Sequence, residues 1–195
     1  MPITEEIFQA FLRCETKSYL KLSSEVEISR GLSDWQRRVF EECRDKCAAK
    51  LCADLRGSGC VTGVPLLQSL ADDKCRLLIN CVTQSAEIKS TIHALERLAS
   101  SSKVKHNPFV PIRFVPGEKV TRHDKLSLAF DALALSLATG KMPLFGKIIH
   151  GGELRVVKIK LGGLMKTVRG AVRQIAAQQA SDAPSVDPEQ ALRRM

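Results

Sequence analysis

Residues 121–140 carry the clearest helix signal in the chain. Thr121 can cap the start of a helix, Asp124 stands at its third position, and Gly140 supplies a C-terminal stop. Between these signals, residues 126–138 are apolar on nearly every side. A helix that is apolar all round is buried in its protein, so this segment predicts a core helix that other elements must cover.

Short apolar runs on both sides of this helix predict strands. The predicted strands are residues 76–82, 90–98, 110–115, 146–150 and 154–161, the last two joined as a hairpin across Gly151 and Gly152. Further helices are predicted at residues 3–22, 33–54 and 164–179, with turn or loop regions at 56–63 and 100–108. Strands flanked by helices indicate one α/β or α+β domain over residues 1–180, followed by a flexible tail at 181–195.

The net positive charge of the chain indicates which kind of partner it binds. There are 30 Lys and Arg residues against 21 Asp and Glu residues, a formal net charge of +9, which favours a polyanionic partner. The longest weakly charged run, residues 126–140, is too short to span a bilayer, and residues 1–13 lack the apolar run of a signal peptide. The sequence therefore predicts a soluble cytoplasmic protein with no membrane partner.

The seven cysteines have irregular spacing and include no Cys-x-x-Cys motif. In a chain without an export signal they are predicted to be reduced thiols. Cys43 and Cys47 are four residues apart, which indicates a buried apolar helix face, and a metal site that includes Cys52 is the alternative. The four histidines share no ligand spacing, so no zinc site is predicted.

Three stretches of the sequence, taken in order, carry a resemblance to a known family. The opening sequence IFQAFLRCETKSYLKL resembles the first helix of the RecB-like nucleases, which include the CRISPR-associated exonucleases. Residues 109–151 are similar to the strand, helix and strand of the nuclease core, and STIHALERL occupies the place of the strand with a metal-binding Asp. The resemblance covers most of residues 1–180. It implies a PD-(D/E)XK nuclease-like α/β fold, a mixed sheet flanked by helices.

The same resemblance implies a deoxyribonuclease that depends on Mg²⁺ or Mn²⁺. In such enzymes an Asp and a Glu hold the metal ion, and a Lys positions the attacking water. This chain departs from the pattern, because His93 stands at the first acidic position and Arg113 begins the segment aligned with the Glu-x-Lys strand. Ser127 and Asp131 align with helix positions where many relatives carry Gln and Tyr.

Other acids and lysines near these positions can substitute for the missing ligands. Glu118, Lys119 and Asp124 are candidate catalytic residues, and His93 and Glu96 are candidate metal ligands. The alternative for Glu118 and Lys119 is a structural role in the turn that follows a Pro-Gly pair.

Cys14 stands where relatives with an iron–sulfur cluster carry the first cluster cysteine. Those relatives have three more cysteines near the C-terminus, whereas this chain has none after Cys81. An iron–sulfur cluster is therefore not predicted, and the same gap suggests a truncated copy.

Five basic residues are candidate nucleic-acid contacts: Arg13, Lys17, Lys158, Lys160 and Arg169. Arg13 and Lys17 share a helix face, and Lys158 and Lys160 share one face of a strand. Aromatic residues make up only 5% of the chain, which argues against a platform that stacks single-stranded bases. The sequence thus predicts a DNA-binding nuclease relative with impaired catalysis. The alternative is a noncatalytic protein-interaction module that works with a larger nuclease or helicase partner.

Overall fold

The structure is a computed structural model that describes residues 1–23, 33–54, 59–63, 75–98 and 108–180. These residues form an α/β fold, as predicted, with a mixed seven-stranded sheet. The strands are β1 (Ile3–Thr4), β2 (Cys60–Thr62), β3 (Leu77–Gln84), β4 (Ile88–Arg97), β5 (Phe109–Val115), β6 (Phe145–His150) and β7 (Arg155–Lys160). The helices are α1 (Glu5–Arg13), α2 (Glu15–Ser23), α3 (Asp34–Asp54), α4 (Arg122–Thr139) and α5 (Gly162–Ala180).

The sheet has the strand order β2-β3-β4-β5-β6-β7, and β1 pairs with the start of β4. Strands β3, β4 and β5 form an antiparallel meander. Strand β6 then lies parallel to β5, with α4 as the connection between them, and the predicted hairpin of β6 and β7 is confirmed. Among the described strands, β2 and β7 are therefore the edges of the sheet.

Helix α4 is the core helix that the sequence predicts. Thr121 and Asp124 form a capping box at its start, and Gly140 ends it in the left-handed conformation with a φ of 70°. The ten residues from Leu126 to Leu135 are all buried. The sheet covers one side of α4, and α1 and α5 pack on it from the other. Phe130 of α4 stacks on Phe8 of α1 with ring centroids 4.5 Å apart.

Helix α3 packs on the opposite face of the sheet. Its contacts with the sheet begin at Cys43 and centre on Cys47, which is the one fully buried side chain of the helix. The predicted buried face is thus present in the C-terminal half of α3. Trp35, which continues the same four-residue spacing toward the N-terminus, is 72% exposed. Among the described residues, only the part of the helix that lies over the sheet packs its apolar stripe against another element.

The predicted helix at residues 3–22 is wrong in two places. Ile3 and Thr4 form β1, because the N–H of Ile3 donates to the carbonyl oxygen of Glu87 at 2.7 Å and so adds to the sheet. Cys14 then adopts an extended conformation that separates α1 from α2. The short strand β2 likewise lies within the predicted turn region at residues 56–63.

Two segments that are predicted to be irregular lie outside the described residues. They are residues 99–107, which include most of the predicted loop at 100–108, and the predicted tail at 181–195. In the ranges that are described, no helix has both the length and the apolarity needed to cross a membrane.

The prediction of seven reduced cysteines is wrong for one pair. Cys52 at the end of α3 and Cys60 of β2 form a disulfide, with their Cα atoms 6.0 Å apart. Both residues pack against the same apolar cluster beneath α3. The other five cysteines are not part of a disulfide. Burial raises the pKa of the Cys47 and Cys81 thiols to about 12, so these two are protonated and unreactive at neutral pH.

Candidate functional site

An arginine lies between two carboxylates in the interior of the domain. Arg113 of β5 faces α4, and its Nη1 donates to Oδ2 of Asp131 at 3.0 Å. Its Nη2 donates to Oε1 of Glu5, the first residue of α1. The Oγ of Ser90, on β4, donates to Oδ1 of Asp131 at 2.7 Å. We refer to Glu5, Ser90, Arg113 and Asp131 as the Arg113 network.

Burial makes the charges of this network interdependent. Arg113 is 6% exposed and Asp131 is 0% exposed. Burial alone would lower the pKa of Arg113, but the carboxylates of Glu5 and Asp131 raise it above its usual value, so the guanidinium stays charged. Burial raises the pKa of Asp131 to about 7, against the opposing effect of Arg113. A charged group that is buried in this way is stable only while a group of opposite charge lies beside it.

His93 lies at a distortion of the sheet. Ile92 and Leu95 both pack on the α4 side, so the side-chain alternation of β4 breaks between them. Asn80, opposite His93 on β3, has a φ of 53°. This geometry lets Nδ1 of His93 accept the N–H of Phe114 at 3.0 Å. The proton of the neutral ring is then on Nε2, and the ring offers no free lone pair to a metal ion.

Replacing His93 with asparagine is expected to reduce the sensitivity of the fold to acid. Burial, reinforced by the charges of Arg113 and Arg44, lowers the pKa of His93 well below its usual value. The unfolded chain binds a proton at this residue below about pH 6.5, whereas the folded chain does not. The wild type should therefore lose about 1.4 kcal/mol of stability per pH unit relative to the variant as the pH falls below that value. Urea unfolding between about pH 5 and 8 measures the difference.

Asparagine is the conservative choice because its Oδ1 can replace Nδ1 as the acceptor for the N–H of Phe114. His93→Ala removes that acceptor, and its free energy of unfolding should lie about 1–3 kcal/mol below that of His93→Asn at every pH. If the wild type and the asparagine variant lose stability in parallel on acidification, His93 is not a neutral buried group.

The predicted catalytic pair Glu118 and Lys119 lies in the turn after β5. Oε1 of Glu118 accepts the N–H of Gly152 at 3.0 Å, which ties this turn to the hairpin between β6 and β7. A Cβ at Gly151, where φ is 72°, would lie 2.8 Å from Oε2 of Glu118. Lys119 is exposed. In this position Glu118 has a structural role in joining two turns.

Asp124, the third predicted catalytic residue, belongs to the capping box of α4. Its Oδ2 accepts the N–H of Thr121 at 2.8 Å and the Oγ1 hydroxyl of Thr121 at 2.6 Å. The N–H of Asp124 in turn donates to Oγ1 of Thr121 at 3.2 Å. The carboxylate thus stabilises the first turn of the helix.

Glu96 lies far from Glu118. Glu96 forms an ion pair with Lys147 of β6 and is opposite Val110, near the start of β5. Glu118 follows Val115, the last residue of β5. The strand between Val110 and Val115 is about 17 Å long at 3.3 Å per residue. Glu96 and Glu118 therefore cannot bind one metal ion together.

The candidate metal ligands do not converge. Over the described ranges, no group of three or more His, Cys, Asp or Glu side chains is arranged to hold a metal ion. The two carboxylates that do approach one another, Glu5 and Asp131, are both bound by Arg113. In this arrangement the guanidinium of Arg113 neutralises both carboxylates inside the fold.

Lys158 and Lys160 lie on an exposed part of the sheet. Ile159 between them packs on the α4 side, so both lysines point to the other side, and the prediction that they share one face is confirmed. Lys147 is opposite Lys158 on the same side. The Nζ of Lys158 lies 3.7 Å from the centroid of the Phe145 ring. We refer to Lys147, Lys158 and Lys160 as the lysine face.

The other three predicted nucleic-acid contacts lie among the helices. Arg13, Lys17 and Arg169 are exposed residues of α1, α2 and α5. These three helices pack against one another on the α4 side of the sheet. The five predicted contacts thus form two groups on opposite sides of the sheet, and a single flat surface cannot contact all of them.

Glu5 and Ser90 are site residues that the sequence reasoning missed. Glu5 looks like an ordinary acidic residue of a first helical turn, and it does stand at the start of α1. Two other residues of the site did carry a signal in the sequence from which a buried ion pair could have been predicted. Arg113 interrupts the apolar strand VPIRFV, and Asp131 interrupts the apolar body of α4. Two opposite charges in segments predicted to be buried indicate an internal ion pair.

Comparison with known proteins leaves the family open. No protein-family model and no curated protein matches this chain. The relationship to the RecB-like nucleases therefore stays a prediction. What constrains the function is the local chemistry of the Arg113 network and of the lysine face.

Proposed function

We propose that this chain is a noncatalytic DNA-binding domain built on a RecB-like nuclease scaffold. The Arg113 network carries the proposal. Arg113 begins the segment that the resemblance aligns with the catalytic Glu-x-Lys strand, and its guanidinium lies between the carboxylates of Glu5 and Asp131. A fixed cation of the protein thus takes the place of the metal ion that hydrolysis requires.

The bound guanidinium leaves little room for a divalent cation. Mg²⁺ needs near-octahedral oxygen ligands, but Oδ2 of Asp131 and Oε1 of Glu5 already accept hydrogen bonds from Arg113. A second cation beside the guanidinium would also be repelled strongly in a buried, low-dielectric site. The proposal accordingly includes no Mg²⁺ or Mn²⁺ cofactor and no phosphodiester hydrolysis.

The order of elements supports the scaffold. Residues 109–151, on which much of the resemblance rests, contain β5, α4 and β6 as consecutive strand, helix and strand. The two strands are parallel neighbours, with Ile112 opposite Lys147 and Val115 opposite His150. The Arg113 network lies beneath the helix that connects them. The region of the resemblance is therefore one packed unit.

The lysine face supports contact with a DNA backbone. Lys158 and Lys160 are exposed on the edge strand β7, and their side chains point away from α4. Lysines arranged in this way contact phosphates irrespective of base sequence. Phe145 lies under the Nζ of Lys158, so its ring is not free to stack on a base. Duplex DNA fits these features better than a single strand.

Neutralising Lys158 and Lys160 together is expected to weaken DNA binding and its dependence on salt. Each phosphate contact contributes about 0.9 to the slope of log K against log salt, so the double glutamine variant should lower that slope by about 1.8. Fluorescence anisotropy with a labelled duplex at several salt concentrations measures it. The matched control is Lys46→Gln with Lys89→Gln, which removes the same charge from exposed positions outside the lysine face.

An equal loss of slope in both double variants would mean that net charge alone drives binding and would remove the lysine face from the proposal.

The noncatalytic assignment is tested by incubating the same protein preparations with linear and circular DNA in the presence of Mg²⁺ or Mn²⁺. No cleavage is expected. Cleavage that disappears in Glu118→Ala or Asp124→Ala would contradict the noncatalytic assignment.

A further inference from the structure

A second surface, unrelated to the lysine face, lies between α1 and α5. It is a groove of about 600 Å³ that is open to solvent. Phe11 and Leu12, at the C-terminal end of α1, are half-buried and supply an apolar wall. Gly170 and Ala171 of α5 supply the facing wall. The groove therefore exposes apolar surface that neither helix covers.

Gly170 keeps the groove open. A Cβ built at this position would meet no atom within 4 Å, so the space beside the helix is empty there. Glycine is one of the least favourable residues in the interior of a helix, because it gains no side-chain packing and loses the most backbone entropy. A side chain at this position would begin in the open space of the groove.

The charges beside the apolar walls are all positive. Lys166 and Arg173 line the groove, and among the described residues that line it none is acidic. Lys166 and Arg173 are seven residues apart, which is about 10.5 Å along the same face of a helix. An acidic partner with carboxylates two helical turns apart would match both cations at once.

We propose that this groove binds an acidic amphipathic helix of a partner protein. Apolar side chains of that helix, spaced three or four residues apart, would pack on Phe11, Leu12 and Ala171, as in helix-in-groove recognition. Acidic side chains flanking this stripe would pair with Lys166 and Arg173. The inference does not rest on the proposed DNA binding, because the lysine face is on the other side of the sheet.

Two other occupants fit the groove less well. Small-molecule sites enclose most of the surface of their ligand, whereas this groove is open to solvent. A nucleic-acid backbone would satisfy Lys166 and Arg173 but would leave Phe11 and Leu12 without an apolar partner. A peptide helix has both an apolar stripe and charges beside it, so it matches every part of the surface.

The test uses the full chain and a fluorescein-labelled synthetic helix with leucines along one face and glutamates beside them. A peptide of the same composition with scrambled order, and a version with lysine in place of glutamate, are the comparison probes. Gly170→Leu should weaken binding of the acidic helix by about tenfold or more by filling the groove. Gly163→Leu is the matched control, since Gly163 is an exposed α5 glycine with open space at its Cβ that does not line the groove.

The double charge reversal Lys166→Glu with Arg173→Glu should reverse the preference from the acidic to the basic peptide. Thermal unfolding of each variant verifies that the fold is intact. The proposal is overturned if the acidic helix shows no measurable binding, if it binds no better than its scrambled form, or if Gly170→Leu and Gly163→Leu have equal effects. A duplex DNA whose affinity falls in Gly170→Leu but not in Gly163→Leu would assign the groove to nucleic acid instead.

Discussion

Replacing Arg113 with leucine is expected to lower the free energy of unfolding by about 3–5 kcal/mol. The substitution leaves Asp131, which is 0% exposed, and the partly buried Glu5 without the cation that neutralises them. Removing one member of a buried ion pair costs more than the pair itself contributes, because the remaining carboxylate must either stay charged without water or take up a proton. Urea denaturation at neutral pH measures the change.

The control for this prediction is the same substitution in a surface ion pair. Arg155 bonds Glu153 at 2.8 Å, but their side chains are 59% and 74% exposed. Arg155→Leu should therefore change the free energy of unfolding by less than about 1 kcal/mol. If Arg113→Leu lowers the free energy of unfolding no more than Arg155→Leu does, the Arg113 network does not stabilise the fold as a buried ion pair.

The network also predicts a compensating change. Replacing buried ionic groups together with apolar ones is often neutral or stabilising, because no charge is left unpaired. Arg113→Leu combined with Asp131→Leu and Glu5→Gln should therefore regain much of the stability lost in Arg113→Leu alone. The triple variant would separate the cost of unpaired charges from the cost of lost packing.

Replacing Asp131 with asparagine is expected to change how stability depends on pH. Burial raises the pKa of Asp131 to about 7, whereas the same group in the unfolded chain titrates near 3.9. Between these values the folded state holds a proton that the unfolded state has released, so stability from this group falls as the pH rises. The wild type should lose about 1.4 kcal/mol per pH unit relative to Asp131→Asn over this window, and nothing further above about pH 7.

Unfolding curves for both proteins at about one-unit steps from pH 4 to 9 give this difference directly. The contribution of His93, which has the opposite sign, is common to both and cancels. A difference that rises with pH would mean that the ion pair with Arg113 outweighs burial and holds the pKa of Asp131 below its usual value. That result would contradict the prediction.

Much of the secondary structure could be predicted because its signals are local. The capping box at Thr121 and the left-handed Gly140 define α4 from neighbours three or four residues away. The hairpin turn at Gly151 depends on the same kind of local preference, with a φ of 72°. Strand β1 was missed because its two residues pair with β4, about 85 residues further along the chain, and carry no pattern of their own.

The candidate site was less predictable than the fold. The resemblance directed attention to Glu96, Glu118 and Asp124, and each of these carboxylates bonds a different protein partner in the structure. Their separation depends on strand register, which the sequence does not fix without knowledge of pairing. The bond between Arg113 and Glu5 links residues 108 positions apart. Nothing in the first turn of α1 identifies that partner.

The sequence by itself determined the buried helix α4, most of the strands around it, and the shared face of Lys158 and Lys160. These follow from residue periodicity and capping, which act over a few residues. The tertiary structure alone decided that the charges of Arg113, Asp131 and Glu5 neutralise one another, and that the groove beside Gly170 stays open. The physical reason is that burial and charge pairing depend on which distant elements pack together.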